Sequence, residues 1–128
     1  MSLFRAKATA EAYSDEEANA RMPIWCAFAE LFLDTEQTAQ DYRRIAETVS
    51  GRGFDQAALL AILSDEVAPA FAHNIFIDIA GEWAGWPEDY VRQRVQSVRQ
   101  NGSSWLLPGK DISAYIGQEW AKVECYLV

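Results

Sequence analysis

The residues best suited to chemistry stand close together in one stretch, "FAHNIFIDIAGEW", which covers residues 71–83. It contains the only histidine of the chain, His73. Three polar residues share the stretch at a spacing of four: Asn74, Asp78 and Glu82. A histidine can act as a general base when a carboxylate orients it, and Asp65 or Glu66 could do so here. No nucleophile motif accompanies His73, so we expect a buried residue with one hydrogen-bond partner, and catalysis remains the alternative.

Metal binding is a weaker interpretation of the same residues. On a helix, Asn74, Asp78 and Glu82 would extend over about 12 Å, so one ion could not reach all three. The two cysteines, Cys26 and Cys125, form no C-x-x-C pair, and there is no second histidine to complete a zinc site. We therefore expect no metal and no cofactor, and we expect Cys26 to be a small core residue.

The stretch predicts a central helix over residues 69–84 with one polar side. At about 100° per residue, the apolar side chains fill a wide arc and the three polar residues share the remainder. The turn that follows adds an aromatic residue and two acids, a composition typical of protein-binding surfaces with electrostatic steering. The predicted partner-binding residues are Asn74, Asp78, Glu82, Trp86, Glu88 and Asp89. The alternatives are a solvated helix side and, for Trp86, a packing role that fixes the turn.

The elements around this helix are also predicted to be helical. Ser14 and Glu17 fit a capping box, and the helix they open should end near Met22, because a proline disfavours helix before it. Pro23 then opens a second helix over residues 24–34. The spacing of four apolar residues predicts a third helix, followed by two glycines: Tyr42, Ile45, Ala46 and Val49.

Capping residues and prolines mark the remaining elements. Asp55 should cap a helix, Pro69 should break or kink the chain, and Asp111 should cap the last helix. Inward-facing residues are predicted from their spacing: Leu59, Ile62, Leu63, Val91, Val95, Val98, Ile112, Tyr115, Ile116, Trp120 and Val123. Period-two alternation is scarce, so the predicted fold is all-α, a compact bundle of six or seven short helices. We expect a ragged lead-in over residues 1–13 and one domain over 14–128, whose tail "VECYLV" could form a short strand.

Charge narrows the class of partner. The formal net charge is −8, and residues 51–90 alone carry one Lys or Arg against seven Asp or Glu, a balance of −6. Such a chain would be repelled by phosphates, so we expect no nucleic-acid partner, whereas a basic protein would be attracted. Three arginines, Arg92, Arg94 and Arg99, are expected to lie mostly on a solvated face. The sequence contains no secretory signal and no membrane span, which predicts a cytoplasmic protein without a membrane partner.

Two runs carry a resemblance to a known family: "PIWCAFAELFLDTE" and "ILSDEVAPAFAHNIFIDIAGEWAGW". They resemble a family of small bacterial proteins of unknown function, with a Trp before an "LFLDT" box, then "EVAP" and "AGEWAGF". The resemblance covers about residues 21–95, and Trp86 stands where the family pattern has Phe. It implies a small helical domain and brings no activity with it. In general character, small acidic proteins of this sort also resemble immunity proteins that neutralise toxins.

The leading hypothesis from sequence is a non-catalytic binding protein. We expect an immunity protein or similar inhibitor that captures a basic partner, such as a toxin or effector domain. The alternatives are a small enzyme that uses His73 with a carboxylate and a general protein-interaction module.

Overall fold

The structure, a computed structural model, describes residues 3–4, 11–33, 37–72, 86–102 and 107–127. The chain is all-α, as predicted. The helices of the described residues are α1 (Asp15–Ala29), α2 (Ala39–Val49), α3 (Gln56–Ala61), α4 (Ala68–Phe71), α5 (Glu88–Asn101) and α6 (Gly109–Glu124). A π-helical segment (Ile62–Val67) joins α3 to α4 without a break, so these three elements form one continuous helix. The described residues therefore contain five separate helices, where six or seven were predicted for the chain.

The first helix begins where the capping box predicts and ends later than predicted. The Ser14 hydroxyl accepts from the amide of Glu17 at 3.1 Å, and the Glu17 carboxylate accepts from the amide of Ser14 at 3.3 Å. The predicted end near Met22 is wrong, because α1 continues through Pro23 to Ala29 and a 3-10 turn follows at Glu30–Phe32.

The continuation of α1 has an energetic reason. A proline inside a helix costs about 3 kcal/mol, since it cannot donate to the carbonyl four residues earlier. The residues beyond it, Ile24, Trp25 and Phe28, are fully buried, and each buried apolar side chain of this size contributes roughly 1.5–3 kcal/mol. Burial on this side of α1 therefore outweighs the lost hydrogen bond.

The second helix has the predicted apolar face. Thr38 caps it in a second capping box with Asp41, at 3.2 Å from the Asp41 amide to the threonine hydroxyl. The four predicted inward residues are all buried: Tyr42, Ile45, Ala46 and Val49. Gly51 follows with a φ of 71°, a left-handed conformation that suits glycine after a helix.

The stretch from α3 to α4 changes its hydrogen-bond register. Asp55 caps α3 as predicted, accepting from the amide of Ala58 at 2.8 Å. In the π-helical segment the bonds span five residues, and the amide of Ala68 donates to the carbonyl of Leu63. Pro69 lies in the first turn of α4 and has no amide to offer, so the predicted break takes the form of a register change just before it.

The last two helices confirm the predicted faces and correct two boundaries. Val91, Val95 and Val98 are buried, and Gly102 ends α5 with a φ of 76°. Asp111 does not cap the last helix, because α6 already begins at Gly109. Up to Leu127, the last residue described, the tail forms no strand, since α6 runs to Glu124 and the burial of Trp120 and Val123 holds that end in helical register.

A short two-stranded pairing accompanies the helices. Leu3–Phe4 runs antiparallel to Leu107–Pro108, with Leu3 opposite Pro108 and Phe4 opposite Leu107. The two strands pack against α6; elsewhere α1 packs against α2, α5 and the π-helical segment, and α2 packs against α6. Within the described ranges, no helix combines the length and apolar character needed to span a membrane.

Candidate partner-binding groove between α1 and α5

A groove of about 360 Å³ separates α1 from the first turn of α5. The lining residues on α1 are Asn19, Met22, Pro23 and Cys26, and those on α5 are Glu88, Asp89 and Arg92. Three of the α1 residues are apolar and form a hydrophobic wall, whereas all three α5 residues are charged. The groove therefore combines apolar surface with an acidic rim.

The start of α5 places its two acids at the groove. Pro87 occupies the N-cap position, so Glu88 and Asp89 fall in the first turn, where the helix dipole favours negative charge. Both side chains are exposed, and neither has a hydrogen-bond or ion-pair partner among the residues that the structure describes. These two predicted binding residues are brought together and left available.

Arg92 is the cationic member of the groove, and its charge is engaged within the chain. Its guanidinium donates to Oδ1 of Asn19 at 2.9 Å and to Oδ1 of Asp15 at 2.9 Å. Both acceptors belong to α1, so Arg92 crosses from α5 to the opposite wall. The two carboxylates of the rim keep their negative charge without a partner from this arginine.

The pKa of the Cys26 thiol depends on its burial and on the acids near the groove. This pKa is raised to about 11, mainly by burial and additionally by the nearby charges of Glu88 and Glu30. The expectation that Cys26 is a core residue is only partly right, because it is half-buried and borders the groove. With such a pKa the thiol stays protonated at neutral pH and is a poor nucleophile.

Trp86 points away from the groove, although it was predicted on the same surface as the two acids. Its indole nitrogen donates to the carbonyl of Ala29 at 2.8 Å, at the end of α1. Its ring packs on Phe71 with centroids 5.0 Å apart and stacks on Tyr90 at 5.7 Å. At 100° per residue, Tyr90 lies on the opposite side of α5 from Glu88 and Arg92. The acids and the aromatic residues therefore occupy two different sides of the helix.

The three arginines of α5 bond to other parts of the chain, so the prediction of a mostly solvated face is only partly right. Arg99 donates to the carbonyl of Glu11 at 2.8 Å, and its guanidinium lies 3.7 Å from the centre of the Tyr13 ring. Arg94 donates to the carbonyl of Ala70 at 3.3 Å. All three are half-buried, because α5 packs closely on α1 and α4 and its long cations reach their backbone and side-chain acceptors.

A second polar cluster surrounds Glu66, and sequence reasoning missed its role. The indole of Trp25 donates to Glu66 at 2.8 Å, and Nε of Arg21 lies 3.3 Å from the same oxygen. Burial raises the pKa of the Glu66 carboxyl, while the hydrogen bond from Trp25 and the charge of Arg21 oppose that rise. Counted from Leu59, Glu66 stands at i+7, in the same series as the inward-facing Ile62 and Leu63. This spacing was the signal in the sequence that Glu66 faces the interior. Asp65, in contrast, is exposed.

The other predicted residues lie outside the described part of the chain: His73, Asn74, Asp78 and Glu82. Within the described ranges, no three His, Cys, Asp or Glu side chains come together as a metal site.

A wider depression of about 630 Å³ lies over α2, and its described lining belongs to that helix alone. Two of the four charged residues in this described lining pair with each other, Arg44 and Asp41 at 3.4 Å, and Arg44 also donates to both carboxylate oxygens of Glu30 at 3.0 Å each. The groove between α1 and α5 is lined by described residues of two helices, so it is the better candidate within the part of the chain that the structure describes.

These features define an all-α domain with an acidic groove between two helices. The chain belongs to a family described as a domain of unknown function, DUF7079, whose model matches residues 19–125. The match extends beyond the stretch that carried the resemblance and agrees with a small family without an assigned activity. No curated protein and no solved structure matches the chain.

Proposed function

We propose that this protein is a non-catalytic binding protein that captures a basic protein partner, as an immunity protein does with a toxin. The observation that carries the proposal is the groove between α1 and α5. Its two rim carboxylates, Glu88 and Asp89, are exposed and have no ion-pair partner in the described part of the chain.

The charge of the whole chain supports the same class of partner. A net charge of −8 attracts a basic protein from a distance and raises the association rate. This attraction is screened beyond a Debye length of about 8 Å at physiological salt, so contacts in the groove must supply the affinity. The apolar surface of Met22 and Pro23 offers area to bury, which slows dissociation.

Catalysis has less support among the described residues. The Cys26 thiol is protonated at neutral pH, with a pKa of about 11. Glu66, which could orient a general base, instead bonds to Trp25 and pairs with Arg21. A general interaction module would use the same groove, and it would differ from an inhibitor in leaving its partner active.

The test is co-expression with a basic protein encoded beside this gene, with growth of the host as the readout. We expect the partner to be toxic alone and harmless with this protein. The groove variant, Glu88→Gln with Asp89→Asn, should protect poorly. A matched variant, Glu47→Gln with Glu124→Gln, removes the same charge at two exposed sites and should protect fully.

The purified pair gives the second measurement. We expect a complex whose association slows as salt is raised, and more steeply for the wild type than for the groove variant. A complex that leaves the toxin active would replace the inhibitor with an interaction module. If no basic neighbour forms a complex and growth is never protected, the proposal is wrong.

A further inference from the structure

We infer that the groove between α1 and α5 receives an arginine side chain of the partner, whose guanidinium binds Glu88 and Asp89 against the repulsion of the nearby Arg92. The inference rests on the proposed function, because the arginine belongs to the basic partner. The inference adds two points to the proposed function: the partner's group that enters the groove is a guanidinium, and Arg92 of this chain lowers the affinity of the groove for it.

The size and lining of the groove fit one long side chain. Its volume of about 360 Å³ lies near the lower end of the range for ligand pockets, about 300–1,000 Å³. The apolar wall of Met22, Pro23 and Cys26 can cover a hydrocarbon stem. Glu88 and Asp89 then stand at the rim, where the charged end of such a side chain would lie.

The mixed lining favours arginine over lysine. A guanidinium is planar, is more weakly hydrated than an ammonium, and offers five donors that two neighbouring carboxylates can share. An ammonium beside the apolar wall would lose water that it binds strongly. The consecutive acids, Glu88 and Asp89, can each accept from one edge of the guanidinium.

The groove wall already binds one guanidinium, that of Arg92. Its contacts to Asn19 and Asp15 show that α1 presents acceptors suited to this group. The Asp15 side chain is 97% exposed, so this ion pair is weak and can be displaced. Arg92 also reduces the negative potential at Glu88 and Asp89. The positive charge of Arg92 therefore opposes the binding of the partner's arginine.

The experiment titrates the full-length, ¹⁵N-labelled protein with capped amino acids and follows backbone amide shifts. The probes are N-acetyl-arginine-methylamide and its lysine and citrulline counterparts, the last with a similar shape and no charge. We expect the arginine probe to shift the amides of Met22, Cys26 and residues 88–92. The lysine probe should bind more weakly, and the citrulline probe should cause no shift there.

Variants test the roles of the acids and of Arg92. Glu88→Gln with Asp89→Asn should weaken the arginine probe roughly three- to tenfold. Arg92→Gln should strengthen it roughly two- to fivefold, a gain that a damaged fold would not produce. The charge-matched control, Glu47→Gln with Glu124→Gln, should bind as the wild type does. Circular dichroism verifies that each variant is folded.

Several outcomes would overturn the inference. Equal binding of lysine would show a surface for any cation, and equal shifts with citrulline would show contacts without charge recognition. Shifts of the same amides with protein concentration alone would make a second copy of this chain the occupant. Loss of probe binding in the control variant would move the site to the surface around Glu47 or Glu124.

The two proposals fail in different ways. If the arginine probe binds in the groove but no basic protein is captured, the proposed function is wrong and the groove assignment remains. If a basic partner is captured with equal affinity by the wild type and the groove variant, the arginine site is wrong and the proposed function remains.

Discussion

The indole nitrogen of Trp25 donates a 2.8 Å hydrogen bond to Oε1 of Glu66, which joins the middle of α1 to the π-helical segment. Nε of Arg21 lies 3.3 Å from the same oxygen, and the Tyr13 ring packs on Trp25 with centroids 5.5 Å apart. A carboxylate removed from water needs such partners, because its desolvation is otherwise uncompensated. The cluster therefore fastens α1 to the π-helical segment that precedes Pro69.

Replacing Trp25 with phenylalanine should destabilise the protein by about 1–3 kcal/mol, since the Glu66 side chain is only 14% exposed and loses a donor. Urea unfolding, followed by circular dichroism, measures the change. The matched control is Trp120→Phe, which makes the same substitution where the described structure gives the indole no hydrogen bond. Equal losses for the two variants would show that Trp25 acts through ring packing alone.

Glu66 should make stability depend on pH in a defined direction. Burial raises its pKa in the folded protein above the usual value near 4.5. At pH values between the unfolded and the folded pKa, the folded state therefore binds more protons than the unfolded state. Its contribution to stability is fully present below the unfolded pKa and is lost as pH rises through the folded pKa. Glu66→Gln removes this dependence.

The measurement is the difference in unfolding free energy between wild type and Glu66→Gln at several pH values from neutral to below 4.5. We expect the wild type to gain relative to the variant as pH falls. Groups with lowered pKa values, such as Glu17 and Asp41, are present in both proteins and cancel in the difference. If the wild type instead becomes less stable relative to the variant on acidification, the effects of Trp25 and Arg21 on the Glu66 pKa outweigh that of burial.

A buried polar contact also joins α2 to α6. The Tyr42 hydroxyl donates to Glu119 at 2.9 Å, both side chains are buried, and Lys122 approaches Glu119 at 3.0 Å. Tyr42→Phe should cost about 1–3 kcal/mol, because Glu119 keeps its burial and loses a donor. In a double-mutant cycle with Glu119→Gln, the coupling energy should reach about 0.5–3 kcal/mol. Additive losses would show that the two residues stabilise the fold independently.

Pro23 is expected to cost stability in the helix it interrupts. Pro23→Ala supplies an amide that can donate to the carbonyl of Asn19, and the gain in unfolding free energy should be at most about 3 kcal/mol. The freer unfolded chain offsets about 0.4–1 kcal/mol of this gain. Pro87→Ala is the control, since Pro87 sits at an N-cap and interrupts no helical bond. A destabilised Pro23→Ala protein would show that the proline ring is needed for packing.

Local features of the sequence determined where α1 and α3 begin and which sides of the helices are apolar. Ser14 and Asp55 cap the helices that they were predicted to cap, because a cap needs only a side-chain oxygen and an amide three residues away. The apolar spacing of Tyr42, Ile45 and Val49 likewise fixed an inward face, since that spacing follows from 3.6 residues per turn.

The tertiary structure decided what each inward or polar residue contacts. Trp25 meets Glu66 across 41 residues of sequence, and Trp86 meets Ala29 across 57, distances over which local spacing carries no information. Packing energy kept α1 helical through Pro23, where local chemistry predicted an end. The orientation of α5 against α1 turned Glu88 and Asp89 towards the groove and left Trp86 on the side of Phe71. Periodicity defines the sides of a helix, but only the packing of its neighbours determines which side becomes a site.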